Sequence, residues 1–314
     1  MLAAISFGIH AQNNYTASLG LITENDSYRW KENDRYYTNG IFIQLDYIPR
    51  TFQQKTTPDS RLKKVTTFYT LGQMMFTPGR RSAKTTWQID RPYAGYLFLQ
   101  KGFSFFYKRS VLQSNLNIGV TGRASLAKPL QNLMHDALNY KHFEGWQYQV
   151  KDEIGLNLQI KYDYTLLQPS RIIDVALTTQ VTAGTIFTNT SGGFIVRLGL
   201  FEQASQSSFY NARIGNNQYK HKAEWYLYFR PQFVYQFYNA TVQGRLLGNN
   251  DGSMPGELNH GIYEQQLGFM FAKNRWEAMI NYTLKQKEVK SMKSNERYGA
   301  FGLAYKFGRL KQKP

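Results

Sequence analysis

The sequence predicts an all-β protein, a transmembrane antiparallel β-barrel of about twelve strands. Its 314 residues are 42% hydrophobic and 16% aromatic, which is enough apolar surface for a folded protein. The mean hydropathy is nevertheless -0.50, and no apolar run approaches the roughly 18 residues of a membrane-spanning helix. Apolar and polar residues alternate with a period of two along most of the chain, as in strands with one face toward lipid and the other toward a polar lumen.

Four runs show this alternation, at 41–47, 112–120, 194–200 and 276–285. The same pattern predicts strands at 14–25, 38–49, 63–77, 93–108, 111–124, 147–166, 170–185, 192–205, 222–246, 260–273, 275–288 and 295–308. Their number is even, as closed bacterial barrels require, and many exceed the 5 or 6 residues usual in soluble sheets. No linker, composition break or repeat divides them, so we expect one barrel domain over residues 12–314.

The N-terminal segment is apolar and ends in small residues. Residues 1–11 resemble the remnant of a secretory signal peptide, although a basic start is missing. Export and a barrel together predict the bacterial outer membrane. The absence of cysteine agrees with export but decides little, since many cytosolic proteins also lack it.

The formal net charge of +17 suggests an anionic partner. No helix-turn-helix, zinc-finger or RNP pattern is present, so we expect no nucleic-acid partner. In an outer membrane, the basic residues would lie among the phosphates of the surface glycolipid. An ordinary solvated basic surface is the alternative interpretation.

One segment interrupts the alternation. Near 129–140, Pro129 can start a helix that places Gln131 and His135 on one face, at positions i and i+4. We expect this short helical insertion to aim His135 inward from the rim. A single histidine is more often structural than catalytic, and a metal pair with His142 lacks a third spaced ligand.

Oxygen-bearing side chains are concentrated after the first predicted strand, in Glu24-Asn25-Asp26 and in the stretch 34–40. Such groups suit a calcium or substrate site. They also suit turns, which use Asn, Asp and Gly for local reasons. These residues alone leave both interpretations open.

Several motifs, in this order and spacing, resemble the outer-membrane lipid A 3'-O-deacylase family (LpxR-like). They are Glu24-Asn25-Asp26, Asp34-Arg35-Tyr36-Tyr37-Thr38-Asn39-Gly40, Thr77-Pro78, Asp90-Arg91-Pro92-Tyr93-Ala94-Gly95, Gln131-Asn132-Leu133-Met134-His135 and Trp146-Gln147-Tyr148-Gln149. Each motif is weak alone, whereas the ordered set is fairly specific. The second half of the chain matches mainly in its alternation.

The resemblance implies a calcium-dependent enzyme that hydrolyses the ester of the 3'-linked acyloxyacyl chain of lipid A in lipopolysaccharide. We expect the protein to be a monomer. His135 would be the general base. Asp26 and Thr38 would hold Ca²⁺, Asn25 would donate to the oxyanion or assist the metal, and Gln131 would orient His135 or the attacking water.

The chain departs from the family pattern at two positions. The family's lysine after the Tyr/Phe-x-Pro strand end corresponds to Lys84 or Arg81, of which we favour Lys84. The acidic residue expected six positions after the histidine is Lys141, with Glu144 nearby. The resemblance therefore leaves substrate detail and activity to be tested.

Several other enzyme classes lack their characteristic motifs in this sequence. There is no Gly-x-Ser-x-Gly, His-Glu-x-x-His or Walker A sequence, so serine esterase, zincin and nucleotidase activities are not expected. A non-enzymatic outer-membrane barrel, such as a narrow pore, and a soluble β-rich protein that binds anionic polymers stay open as alternatives.

Overall fold

The computed structural model describes residues 15–29, 35–52, 61–85, 87–167, 172–215, 217 and 219–308, so the predicted signal remnant at 1–11 lies outside the described residues. Within them, twelve strands form one closed barrel in which sequence neighbours pair and β1 pairs with β12. All pairs are antiparallel, which confirms the predicted fold class. The strands are β1 Ala17–Asn25, β2 Tyr36–Tyr47, β3 Leu62–Thr77, β4 Ala94–Tyr107, β5 Ser110–Thr121, β6 Ile154–Thr165, β7 Ile173–Gly184, β8 Phe187–Leu200, β9 Ala223–Asn239, β10 Gly261–Lys273, β11 Trp276–Lys285 and β12 Glu296–Phe307.

Helix α1 spans Ala127–Ala137, two residues earlier than the predicted start at Pro129, and α2 spans Ala240–Gln243. Three strand predictions were wrong by several residues. The strand predicted at 147–166 begins at Ile154, because Trp146–Tyr148 forms a short 3-10 turn. The strand predicted at 222–246 ends where α2 begins, and the one predicted at 192–205 is β8, since polar residues in its first half continue the ladder.

The two faces of the barrel wall differ in polarity. Outward side chains such as Leu19, Leu21, Ile43 and Leu71 are large, apolar and exposed, whereas inward groups such as Asp46 are polar and buried. This is the arrangement of a wall with lipid outside and a polar lumen inside. No helix in the described part of the chain is both long and apolar enough to cross a membrane.

The two ends of the barrel carry different connections. We call the end where β1 finishes the upper end; it carries the connections 26–35, 78–93, 122–153, 240–260 and 286–295. The lower end carries the first and last described residues, the two-residue turns 108–109 and 274–275, the connections from β2 to β3 and from β6 to β7, and the segment 201–222. In transmembrane barrels the longer loops face the outside of the cell, which assigns the upper end to that side.

The segment 201–215 fills the lower lumen. Its 3-10 turn at Ser208–Tyr210 packs the Tyr210 ring against Phe106 of β4 and also contacts β10, a strand on the opposite side of the barrel. The Lys64 ammonium of β3 donates to two backbone carbonyls of this segment, at 2.8 and 2.9 Å. We call this segment the plug.

A buried ion-pair network lies at the upper end of the lumen. The guanidinium of Arg91 donates to Glu288 at 2.8 Å, lies 3.9 Å from the carboxylate of Glu296 and 3.9 Å from the centre of the Phe76 ring. Burial alone would raise the pKa of the Glu288 carboxyl, but the ammonium of Lys285 and the guanidinium of Arg91 lower it below its usual value. The network therefore joins the loop before β4 to the loop before β12 by charge.

We expect Arg91→Met to destabilise the barrel by about 3 kcal/mol or more, because it removes one of the two cations, Arg91 and Lys285, that pair with the buried carboxylates of Glu288 and Glu296. The measurement is the temperature at which the fast-migrating folded band disappears from an SDS gel. Lys84→Met is the matched control from the same loop. Its pair with Glu144 is about half exposed, and an exposed pair contributes about 0 to 1 kcal/mol. Equal temperature shifts for the two variants would contradict the assignment.

Candidate active site

The last two residues of β1 face opposite sides of the wall. Leu19 and Leu21 are exposed on the exterior, while Glu24 lines an interior cavity of about 290 Å³. Because successive side chains alternate in a strand, Asn25 points outward. Asn39 of β2 lies directly opposite Asn25 in the ladder, so the two amides share the exterior face.

A β-bulge brings a third polar residue to this exterior face. The register between β2 and β3 shifts between Tyr37 and Asn39, which makes Thr38 the extra residue. Tyr37 lines the interior cavity, whereas Thr38 and Asn39, although consecutive, both line one exterior pocket. Bulges commonly re-aim side chains in this way beside active sites.

Helix α1 lies against the exterior of the wall and forms the outer side of this pocket. Met75 of β3 is fully buried in a cluster with Ala127 of α1. A Cβ added to Gly95 of β4 would overlap Ser125 Oγ and Ala127 Cβ, so glycine is what lets the helix approach. The prediction that the insertion aims His135 inward was therefore wrong: the helix packs outside the barrel.

The pocket between the wall and α1 collects four of the predicted site residues. It is lined by Asn25, Ser27, Thr38, Asn39, Gln131, Met134, His135, Leu138 and Tyr140. Its enclosed volume is about 20 Å³, which is room for about one water molecule. The floor is polar and the helix side is partly apolar.

A chain of buried hydrogen bonds fixes the floor of the pocket. The indole Nε1 of Trp146 donates to Gln131 Oε1 at 2.8 Å, and Gln131 Nε2 donates to Thr38 Oγ1 at 3.5 Å. Thr38 Oγ1 in turn donates to the backbone oxygen of Met75 at 3.3 Å. Gln131 thus positions Thr38 relative to α1.

His135 is oriented by the segment that follows α1. Asn139 adopts a left-handed conformation (φ 58°), which asparagine tolerates, and the chain turns back so that Tyr140 N donates to His135 O at 2.7 Å. The Nδ1 atom of His135 lies 2.8 Å from the carbonyl oxygen of Lys141. Since a carbonyl only accepts, Nδ1 carries the proton and Nε2 of the neutral ring is the basic atom.

A contact between His142 and Asp136 holds the same segment against α1. His142 Nε2 lies 2.7 Å from Asp136 Oδ1, and the rings of His142 and His135 have centroids 6.3 Å apart. Asp136 is on α1 and His142 follows Lys141, so this pair ties the segment that orients His135 to the helix. The described residues contain no group of three or more His, Cys, Asp or Glu side chains able to hold a metal.

Asp26 and Asn25 start the turn above the pocket. Asp26 is buried and its Oδ2 accepts from the Arg35 amide at 2.5 Å; it lies between two lining residues but is not itself part of the lining. Asn25 Oδ1 accepts from Ser27 N at 2.7 Å and from the Ser27 hydroxyl. Because Oδ1 is engaged, Nδ2 is the end of this amide that can donate to a ligand.

Asn39 is the site residue that sequence reasoning missed. It is 3% exposed, and neither Nδ2 nor Oδ1 has a hydrogen-bond partner among the described residues. Leaving a buried polar group unsatisfied costs about 1 to 3 kcal/mol, so such a group points to a ligand. The sequence alone gave no signal for Asn39, because its position opposite Asn25 follows from the register between β1 and β2.

The two basic candidates are placed differently. Lys84 forms an ion pair with Glu144 and does not line the pocket. The guanidinium of Arg81 lies 5.4 Å from the centre of the Tyr140 ring, and Tyr140 lines the pocket. Arg81 therefore contacts a residue that lines the pocket, whereas Lys84, which the motifs favoured, pairs with Glu144.

Comparisons with known proteins identify the same architecture. A family described as "Outer membrane protein LpxR" matches residues 1–307. LpxR from Salmonella typhimurium is 16% identical with a TM-score of 0.72, and the match covers 92% of this chain and 100% of that one. The β domain of the Bordetella autotransporter BrkA is 10% identical with a TM-score of 0.49, covering 93% and 99%. No curated protein sequence matches the chain.

We expect Gly95→Val to lift α1 from the wall while leaving the barrel closed, because a side chain there would overlap Ser125 and Ala127. Hydrogen exchange should become faster in 127–137 and stay slow in the strands. Gly192→Val on β8 is the matched control, since a Cβ there meets nothing within 4 Å. Unchanged protection of α1 in the Gly95 variant would contradict the packing argument.

Proposed function

Since the chain belongs to the LpxR family of outer membrane proteins, we propose that it removes the 3'-linked acyloxyacyl chain of lipid A by ester hydrolysis at the outer leaflet. One observation carries the proposal. His135, with Nδ1–H held by a backbone carbonyl, lines a pocket on the exterior of the wall at the upper end of the barrel. That is where the ester of a membrane glycolipid would meet the protein.

In this mechanism His135 is the general base. Its Nε2 takes a proton from a water molecule as the water oxygen bonds to the acyl carbon. The bond from that carbon to the sugar oxygen then breaks, and the imidazolium returns the proton to the leaving alkoxide. The contact between Nδ1–H and the Lys141 carbonyl keeps the correct nitrogen basic throughout.

The amides of the pocket would stabilise the oxyanion. Asn25 Nδ2 can donate, because the Oδ1 of the same amide accepts from Ser27. Gln131 contributes indirectly, by holding Thr38 in the bulge through its Nε2. We therefore assign Asn25 to the oxyanion rather than to the metal, and Gln131 to positioning.

The residues present fit a calcium ion. Calcium prefers oxygen ligands, including neutral amide and hydroxyl oxygens. The pocket offers the oxygens of Thr38 and the unsatisfied Oδ1 of Asn39, and the buried Asp26 carboxylate adjoins the lining residues Asn25 and Ser27 in sequence. A bound Ca²⁺ would polarise the ester carbonyl. Asp26 would supply the anionic ligand and Asn39 a neutral one.

A basic group beside the pocket would contact the substrate's phosphate. We assign this role to Arg81, because its guanidinium lies over the ring of Tyr140, which lines the pocket. Lys84 is paired with Glu144 at the surface. A guanidinium also binds phosphate in a bidentate manner.

The non-enzymatic pore is the second candidate, and the plug argues against it. The segment 201–215 crosses the lower lumen from β4 to β10 and is held by Lys64. A diffusion channel would need that space open.

We expect His135→Ala to lower the turnover of lipid A at least about 100-fold, because general-base catalysis contributes that much or more. Mass spectrometry of lipid A incubated with purified protein in Ca²⁺ measures the loss of one acyloxyacyl unit. His260→Ala is the matched control, a histidine at the upper end whose ring stacks on Tyr235. Equal turnover by the His135 variant and the wild type would remove His135 from the mechanism.

Calcium should raise the unfolding temperature of the wild type, because a ligand that binds only the folded state stabilises it. Asp26→Asn and Asn39→Leu should each abolish most of this rise. Without calcium, Asn39→Leu should unfold at a temperature equal to or above that of the wild type, since it removes an unsatisfied buried amide. A full calcium-induced rise in both variants would exclude the site.

A further inference from the structure

Helix α1 has three distinct faces. Ala127, Gln131 and His135 are buried against the barrel wall. Lys128, Asn132 and Asp136 form a polar edge. The apolar edge begins with Leu126, which precedes the first helical residue. It continues on the helix with Leu130, Leu133 and Ala137, at positions i+4, i+7 and i+11 from Leu126.

The apolar edge is largely uncovered. Leu126 is 56% exposed and Leu133 is 64% exposed. Leucines in a soluble helix of this kind would normally face a core. The wall already occupies the buried face of α1, so it does not cover these side chains.

The wall beneath α1 places the helix relative to the exposed apolar belt of the barrel. On the exterior of β3, Met75 and Gln73 are buried, whereas Leu71 is 49% exposed. On β4, Gly95 lies under the helix, whereas Leu99 is exposed. From Gln73 to Leu71 is about 7 Å along the strand, so the helix sits at the upper margin of the lipid-facing belt.

The polar edge carries the groups expected on the water side. Asp136 lies on this edge and pairs with His142, and both are largely exposed. Lys128 is exposed as well. The helix is thus divided lengthwise, as in helices that lie in a membrane interface.

We propose that the apolar edge of α1 lies in the acyl layer of the outer leaflet, and that a lipid substrate reaches the pocket sideways from the membrane. Leu138 and Met134 line the pocket, and Leu138 is exposed. They provide an apolar entrance for an acyl chain whose ester reaches the polar floor. Insertion of the edge is independent of the proposed function, whereas the entry of substrate rests on it.

The absence of cysteine allows a direct test of insertion. Leu133→Cys and Lys128→Cys, on opposite edges, are each labelled with an environment-sensitive fluorophore in the full protein reconstituted into phospholipid vesicles. Lipids brominated near the headgroup end of their chains should quench the label at 133, and aqueous iodide should quench the label at 128. Equal iodide quenching at both positions would overturn the insertion.

Turnover tests the entry of substrate. Leu133→Glu should lower the ratio of turnover of glycolipid in bilayers to turnover in detergent micelles about tenfold or more, the equivalent of losing the burial of one leucine. Leu247→Glu is the control, since Leu247 is a 79% exposed leucine in another upper connection. An unchanged ratio in the Leu133 variant would refute entry past this edge. A wild type without deacylase activity would instead refute the proposed function, and the quenching result would stand.

Discussion

The outward direction of Asn25 and Asn39 is the constraint on which the site depends. Strand alternation directs Glu24 into the lumen and Asn25 out of it. Two amides on the lipid side of a wall would lie unshielded in an apolar medium, which costs several kcal/mol per unsatisfied group. Helix α1 resolves this by covering them from outside, and the covered space becomes a pocket.

The other contacts described above hold α1 in place over these two amides. Gly95 provides the close approach, and the cluster around Met75 provides the apolar contact. The chain from Trp146 through Gln131 to Thr38 fixes the helix relative to the bulge. The plug and the Arg91 network lie in the lumen on the other side of the wall, beside the interior cavity. The wall on which α1 rests is therefore supported from inside by charge and packing.

The fold could be predicted because the polarity of the residues directly shows an alternation with a period of two. Strand boundaries were predicted wrongly where the polarity of a segment does not distinguish a strand from a turn or loop. Residues 147–153 look strand-like but turn, and the polar first half of β8 looks like a loop. The sequence could name His135, Gln131, Asn25 and Thr38, which line the pocket, because their motifs are local. The exterior position, the bulge and the unsatisfied amide of Asn39 depend on register between strands. For Asn25 the sequence alone would have been enough, because residues two apart in a strand share one face and Asn25 follows the apolar Leu19 and Leu21 at even spacing.

The central claim is that a water molecule activated by His135 attacks the acyl carbon of an ester at the outer face of the wall. The most direct measurement is hydrolysis of lipid A in water enriched in oxygen-18, followed by mass spectrometry of both products. We predict one heavy oxygen in the released fatty acid and none in the new hydroxyl of the glycolipid. Label in the glycolipid hydroxyl, or transfer of the acyl group to another lipid without label in either product, would contradict the claim.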